Sequence, residues 1–347
     1  MKLGIIGTGR IAKRAIKELV YVDELEPVAV YNPNYDHALE FVAKQKELAA
    51  GAGIASLNSL KAMPNLEAFM DAVDAVYIAT PHGTHHDYAR RMLQFGKHVL
   101  CEKPMVFDPD LAKELFELAQ RTGVVLMEAI KTAYCPGFKK LEEVVGSGII
   151  GDVVDVEATF TRLTSPGCRE FDPAAHGGAF TEFGTYTMLP IFRFLGTDYN
   201  DVRFQSVMTD TGVDGYTKAV FSFSELGPES QHSQLSLICA TATSKTGLTV
   251  KSEGQLLISG TKGYILVPSP WWLTRHFEIH FEDPTHIDNY DFEFEGDGLR
   301  YEFREFLCRI EECQYSKALF PEQKLFHKKE QDEAIARAEV FGKIAFL

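Results

Sequence analysis

The sequence has no pair of cysteines at the C-x-x-C spacing; Cys101, Cys135, Cys168, Cys239, Cys308 and Cys313 are scattered along its 347 residues. That excludes a zinc-finger pattern and a disulfide-dense secreted scaffold, and it fits a reducing cytoplasm. Uninterrupted apolar runs stay well short of the roughly 18 to 20 residues that a bilayer-crossing helix needs, so a soluble protein is expected. The opening residues Met1-Lys2-Leu3-Gly4-Ile5-Ile6 are apolar, but they run into a glycine turn without a cleavage site and read as a strand, not a leader. Basic residues are in deficit: 35 Lys and Arg stand against 49 Asp and Glu, for a net charge of -14. Such a chain repels phosphate backbones and anionic lipid, which argues against nucleic acid and membrane as partners. Internal repeats, low-complexity segments and long linkers are missing too.

What is present is an ordinary globular balance of 45% hydrophobic and 24% charged residues, in a chain long enough for two domains. The first third alternates β-rich runs with amphipathic ones. Strands are predicted at Leu3 to Ile6, Pro27 to Tyr31, Asp74 to Ala79, Lys97 to Cys101 and Val124 to Met127. Helices are predicted at Ile11 to Val20, His37 to Leu48, His85 to Phe95 and Pro109 to Arg121, where apolar residues recur at three and four. Strand and helix in alternation imply βαβ units, hence an α/β, doubly wound parallel sheet. After Glu128 the pattern changes. A helix over Gly137 to Val145 leads to a strand at Val153 to Arg162, then to strands at Val202 to Met208, Tyr216 to Phe223, Gln234 to Ala240, Gln255 to Ser259, Tyr264 to Val267 and Phe277 to Phe281. Helices at Leu299 to Cys313 and Lys328 to Ile344 end an α+β second domain, with the division placed at residues 1–128 and 129–347.

Gly7, Gly9 and Ala12 fit the G-x-G-x-x-G/A pattern directly after a strand and at the opening of a helix. The first glycine permits the tight turn, the second lets backbone approach a pyrophosphate, and the third small residue lets helix and strand pack closely. Free N–H groups of the helix start then bind the anion, so Gly7, Thr8, Gly9, Arg10 and Ile11 are expected cofactor contacts. The ribose contact falls about 20 residues on, at Asn32. An Asp or Glu there would argue for NAD and an Arg for NADP. Asn32 does neither; its amide can bond ribose hydroxyls and no Lys or Arg is at hand for a 2′-phosphate, so between NAD and NADP the reading leans to NAD.

Thr80-Pro81-His82 and Cys101-Glu102-Lys103-Pro104 end two of the long strands, at the carboxyl edge where open α/β sheets bind ligands. The prolines stop the strands and hold the residues before them extended, aiming Thr80 and Lys103. With the N-terminal G-x-G-x-x-A, with His85, with Gly96-Lys97-His98-Val99-Leu100-Cys101-Glu102-Lys103-Pro104 and with His176-Gly177-Gly178-Ala179-Phe180-Thr181-Glu182-Phe183-Gly184, the chain resembles the Gfo/Idh/MocA oxidoreductases over nearly its whole length. The E-K-P segment is the most specific part. The resemblance implies a Rossmann domain and an open-faced mixed β-sheet domain whose free face makes homodimer or homotetramer contacts. It also implies sugar, polyol or related carbonyl substrates, and a Lys103 beside the nicotinamide and the substrate hydroxyl.

Many members carry an Asp and a His four residues apart after the glycine run; here Glu182 and Tyr186 stand there, so the usual proton acceptor is replaced. A Tyr resembles the dihydrodiol dehydrogenase and glucose-fructose oxidoreductase branches. A free phenol has a pKa of about 10, which a neighbouring ammonium lowers. The expected mechanism has Tyr186 exchange a proton with the substrate hydroxyl, Lys103 lower its pKa, and hydride pass to or from the nicotinamide. Glu182, one helical turn before Tyr186, is expected to bind a substrate hydroxyl or steady Lys103, and Pro190 places Tyr186 close to a helix start. Arg162 and Arg169 flank a Thr/Ser/Gly-rich segment and could meet an anionic substrate group, or be ordinary exposed arginines. Thr80, Pro81, His82, His85, Glu102 and Lys103 complete the expected cofactor contacts, His85 either near the cofactor or at a helix N-terminus. His82, His85 and His86 lack carboxylate or cysteine companions, so no metal is read there. Trp271-Trp272 reads as a subunit contact or as core. The alternative to an enzyme is a dinucleotide-binding regulator without turnover, since fold does not fix function.

Overall fold

The computed structural model describes residues 1–51, 57–223, 240–315 and 321–344. Two compact units emerge: Met1–Lys131 with Glu295–Ala338, and Thr132–Phe294 with the chain from Glu339 on. In the first unit the order is β1 (Lys2–Ile6), α1 (Arg10–Leu19), β2 (Glu26–Tyr31), α2 (Tyr35–Gly51), β3 (Lys61–Ala62), α3 (Leu66–Ala72), β4 (Ala75–Ile78), α4 (His85–Gln94), β5 (His98–Glu102), α5 (Pro109–Thr122) and β6 (Leu126–Ala129). Among the described residues the strands form a parallel six-stranded sheet in the order β3-β2-β1-β4-β5-β6. The direction of winding reverses between β1 and β4, the switch point at which such sheets open a crevice. Every residue of β4 and β5 is buried, as in a sheet covered by helices on both faces. Val76, Ile78 and Val99 pack there against Phe69, Met92 and Leu115. Helix ends are chemically marked: Asp108 accepts the amides of Asp110 and Leu111, Pro109 follows it, and left-handed Gly123 closes α5. The expected doubly wound domain is therefore present. β3 and α3 were not anticipated, because two and seven residues are too short to display a period.

The second unit holds α6 (Pro136–Gly146), β7 (Val153–Thr161), α7 (Ala179–Leu195), β8 (Asp201–Met208), β9 (Asp214–Phe223), β10 (Ala240–Gly247), β11 (Leu256–Gly260), β12 (Gly263–Val267), β13 (His276–Phe281) and β14 (Ile287–Asp291). Among the described residues its eight strands run β14-β13-β12-β11-β7-β10-β9-β8; β7 and β10 pair parallel and the other neighbours antiparallel, the mixed sheet expected. α7 packs on β7, β9 and β10. The strand predicted at Gln234 to Ala240 lies, but for its last residue, outside the described residues. β10 itself is Ala-Thr-Ala-Thr-Ser-Lys-Thr-Gly, too small and polar to read as a strand, and buried because α7 lies against it.

Two helices end the described chain, α8 (Leu299–Tyr315) and α9 (Pro321–Ile344). The sequence reading kept everything after residue 128 in the second domain, whereas residues 295–338 group with the first unit. Ion pairs bring them there: Arg300 donates to both carboxylate oxygens of Glu18 at 2.9 and 3.0 Å, and Arg14 pairs with Asp297 at 2.7 Å. An amphipathic period tells that a helix has an apolar face, not which sheet that face covers. Among the described residues no helix is long and apolar enough to cross a membrane.

Candidate active site

The glycine turn follows β1 as predicted. Gly7 has φ +108°, and a Cβ there would stand 2.4 Å from the carbonyl oxygen of Ala79, so the turn and the end of β4 touch through a glycine that admits no side chain. At Gly9 a Cβ would meet nothing within 4 Å; the space before the first turn of α1 is open. No side chain caps α1 and its first turn holds no acid, so its leading amides suit a phosphate. These features fit the pyrophosphate of a dinucleotide. Asn32 is committed locally: its amide donates to Thr8 Oγ1 at 2.9 Å and its oxygen accepts the Asn34 amide at 2.9 Å. Both bonds are spent on shaping the turn.

At the ends of β4 and β5, Thr80 is half-buried, Pro81 exposed and His82 buried, its ring edge-on to Phe107 and His85. His85 is the first residue of α4 and wholly buried. Its two ring nitrogens lie 2.9 Å from the carbonyls of Thr80 and Pro104; a neutral ring donates to one of them and packs against the other, so it lies between the two strand ends and can serve a cofactor only through the loops it touches. Burial pushes its pKa down, and the Lys103 charge acts the same way. Glu102, expected at the cofactor, turns inward: Tyr77 donates to it at 2.5 Å, and burial raises its carboxyl despite Lys103 and that hydrogen bond. Lys103 is half-buried at the loop itself.

In the second unit the glycine run makes room for α7. A Cβ on Gly177 would stand 2.6 Å from the Glu170 carbonyl, and one on Gly178, at φ +129°, would stand 2.2 Å from the Asp214 carboxylate. That carboxylate caps α7, accepting the Phe180 amide at 2.9 Å and the Thr217 hydroxyl at 2.6 Å. The helix starts at Ala179, which corrects the placing of Tyr186 at a helix start: Tyr186 lies two turns in and Pro190 lies inside the helix. Pro190 withholds an amide donor, but burial of nearly every α7 side chain from Ala179 to Arg193 outweighs that loss. Tyr186 is half-buried against Phe160, whose ring stacks on Phe183 at 4.4 Å and on Trp272 at 3.7 Å. Glu182 is buried and paired with Arg169 at 2.5 Å; Arg162 reaches buried Glu170 at 3.4 Å. The two arginines thus neutralise buried acids. Trp271 is core, its indole N–H bonded to the Thr159 carbonyl at 2.8 Å.

Sequence reasoning missed Tyr77, Asp214, Glu128, Arg337 and Glu302, whose importance comes from partners far along the chain and leaves no local pattern. Among the described residues no group of three or more His, Cys, Asp or Glu is placed to hold a metal.

The turn, the switch point and the strand-end loops define a dinucleotide-binding oxidoreductase fold. Residues 1–130 match the Gfo/Idh/MocA model, an oxidoreductase family with an NAD-binding Rossmann fold. Over 320 residues the chain is 28% identical to scyllo-inositol 2-dehydrogenase (NADP(+)) of Bacillus subtilis, covering 90% of this chain and 89% of that one. It is 27% identical over 310 residues to trans-1,2-dihydrobenzene-1,2-diol dehydrogenase of Xenopus laevis, covering 87% and 86%. A 3-ketoreductase from Actinomadura kijaniata, solved with NADP and TDP-benzene, has the same fold at TM-score 0.77 and 21% identity, over 98% of this chain and 95% of that one. Residues 1–130 belong to the Gfo/Idh/MocA oxidoreductase family, and similarity to a named dehydrogenase extends over 90% of the chain. The lean to NAD drawn from Asn32 finds no support, since relatives are named with NADP(+).

Proposed function

We propose that the protein is an NAD(P)-dependent dehydrogenase or reductase acting between a secondary alcohol and a carbonyl of a sugar, polyol or vicinal diol. One observation carries this reading. Within the first unit an unbroken set of contacts runs from Gly7 to Ala79 and Thr80, and through His85 to Pro104, so the dinucleotide turn and the Lys103 loop share one sheet edge. A bound nicotinamide supplies or accepts the hydride. Tyr186 takes the proton from the substrate hydroxyl, or returns it in reduction, and the Lys103 ammonium favours the phenolate. Glu182 and Arg162 offer hydroxyl contacts; because each sits in an acid–guanidinium pair, they favour neutral hydroxyls over a carboxylate or phosphate. Relatives named for inositol and for a vicinal diol support the substrate class.

Titration with NADH and NADPH, followed by fluorescence, separates the two cofactors, and a panel of polyols, aldoses and vicinal diols then finds the substrate. Tyr186→Phe is expected to lower turnover by about 10² to 10⁴-fold with dinucleotide affinity unchanged. Full turnover in that variant would remove Tyr186 from the chemistry. Dinucleotide binding without turnover across the panel would replace the enzyme by a regulator.

A further inference from the structure

A single peptide group, the one joining Pro104 to Met105, is held at both ends by buried side chains. Its carbonyl oxygen lies 2.9 Å from Nδ1 of His85, and its N–H donates to Oε1 of Glu128 at 2.9 Å. The other oxygen of Glu128 accepts from Arg337 of α9, from Nε at 3.2 Å and from Nη2 at 2.8 Å. Glu128 is 8% exposed, Arg337 3% and His85 0%. A buried ion pair of this kind contributes little net stability, because desolvating both charges offsets their attraction; what it contributes is a fixed geometry. The geometry here belongs to the loop that carries Lys103. On the other side of Lys103, its own amide is 3.2 Å from Oε2 of Glu102, which Tyr77 holds.

We propose that Glu128, gripped by Arg337, is a positioning residue for Lys103, which it holds in place by fixing the Pro104–Met105 peptide group. The proposal rests on the catalytic reading of Lys103. The backbone is pinned at the Lys103 amide itself and again one residue further on, so the origin of its side chain is set by groups from β5, α4, β6 and α9. Without Glu128 the Met105 amide loses its acceptor, the peptide plane can rotate, and Lys103 moves with it. A displacement of about 1 Å is enough to lower a rate 100-fold.

Hydrogen–deuterium exchange at the Met105 amide, in the full chain, needs no substrate. Glu128→Ala is expected to raise its exchange about tenfold or more, and Arg337→Met to raise it in the same direction. Unchanged exchange in Glu128→Ala overturns the clamp. Turnover of the panel substrate then separates positioning from folding. Glu128→Ala is expected to lower kcat about 10- to 100-fold, with KM and dinucleotide Kd within about threefold. In a Lys103→Ala background the same change is expected to cost less than about twofold, since Glu128 acts through Lys103. Equal losses in both backgrounds mean a merely structural role and overturn the proposal. If Glu128→Ala does not fold, Glu128→Gln takes its place in the cycle, setting an amide N–H against Arg337. Should Lys103→Ala alone keep full turnover, the reading of Lys103 fails and takes this one with it. Loss in Lys103→Ala with none in Glu128→Ala overturns only the positioning role.

Discussion

Glu302 enters the first unit from α8 with no exposed surface and, among the described residues, no hydrogen-bond partner for either carboxylate oxygen. Burial, and after it the like charge of Glu102, hold its carboxyl well above the usual range; Lys131 and Arg14 oppose them, and Glu18 adds to them. Lys131 donates to the Asp297 carbonyl at 2.5 Å, and burial lowers its own pKa. A carboxyl whose native pKa is raised keeps its proton in the fold after the unfolded chain has lost it. Its contribution to stability is complete below the unfolded value of about 4.3, and it is lost as pH rises toward the native value. Glu302→Gln is neutral at every pH. Its melting temperature should therefore fall less than the wild type's between about pH 5 and about pH 8, as thermal melts at stepped pH would show. Parallel curves for the two proteins would mean that Glu302 is ionised in the native state.

α7 shows how an element can be legible in part. The sequence located its glycine run and the two residues it presents, Glu182 and Tyr186, because these lie in one short segment. It misplaced the helix start, because Pro190 argues locally for a helix beginning beside it while the packing of the whole helix argues for Ala179. The glycine turn after β1 and the Lys103 loop were legible for the opposite reason: strand, turn and helix succeed each other within a few residues. The cap of α7 was not legible, since Asp214 comes from β9, 34 residues from the amide it accepts. Burial raises the pKa of Asp214, although Thr217 and the helix amides pull it down. Asp214→Ala leaves those amides without an acceptor and is expected to destabilise the protein by about 1 to 2 kcal/mol. A lower denaturant midpoint at unchanged slope is the expected result; an unshifted midpoint would show that another group caps the helix.

For the molecule as a whole, what could not be read was which distant segments share a unit. Glu18 with Arg300, and Glu128 with Arg337, join residues more than two hundred positions apart, and each member alone reads as an ordinary helix or strand charge. The second unit's sheet carries a further property that only its register reveals. Residues paired across neighbouring strands emerge on the same face. Ser244 bonds Thr187 of α7, so the face bearing Ser244 is the one that α7 covers. The register then places Val207, Val220, Tyr264 and Ile287 together on the other face, where they are 58, 41, 40 and 41% exposed. Eight strands at about 4.8 Å spacing span close to 40 Å, enough for an interface of the standard 1,200 to 2,000 Å². We expect two or four copies of the chain to associate through this face. Light scattering after size exclusion should give a multiple of the chain mass for the wild type. The Val220→Arg/Tyr264→Arg variant, which buries two unpaired cations in the contact, should fall to the mass of one chain while retaining its dinucleotide affinity. A wild type already at the mass of one chain would overturn the association, and a variant that stays associated would place the contact elsewhere.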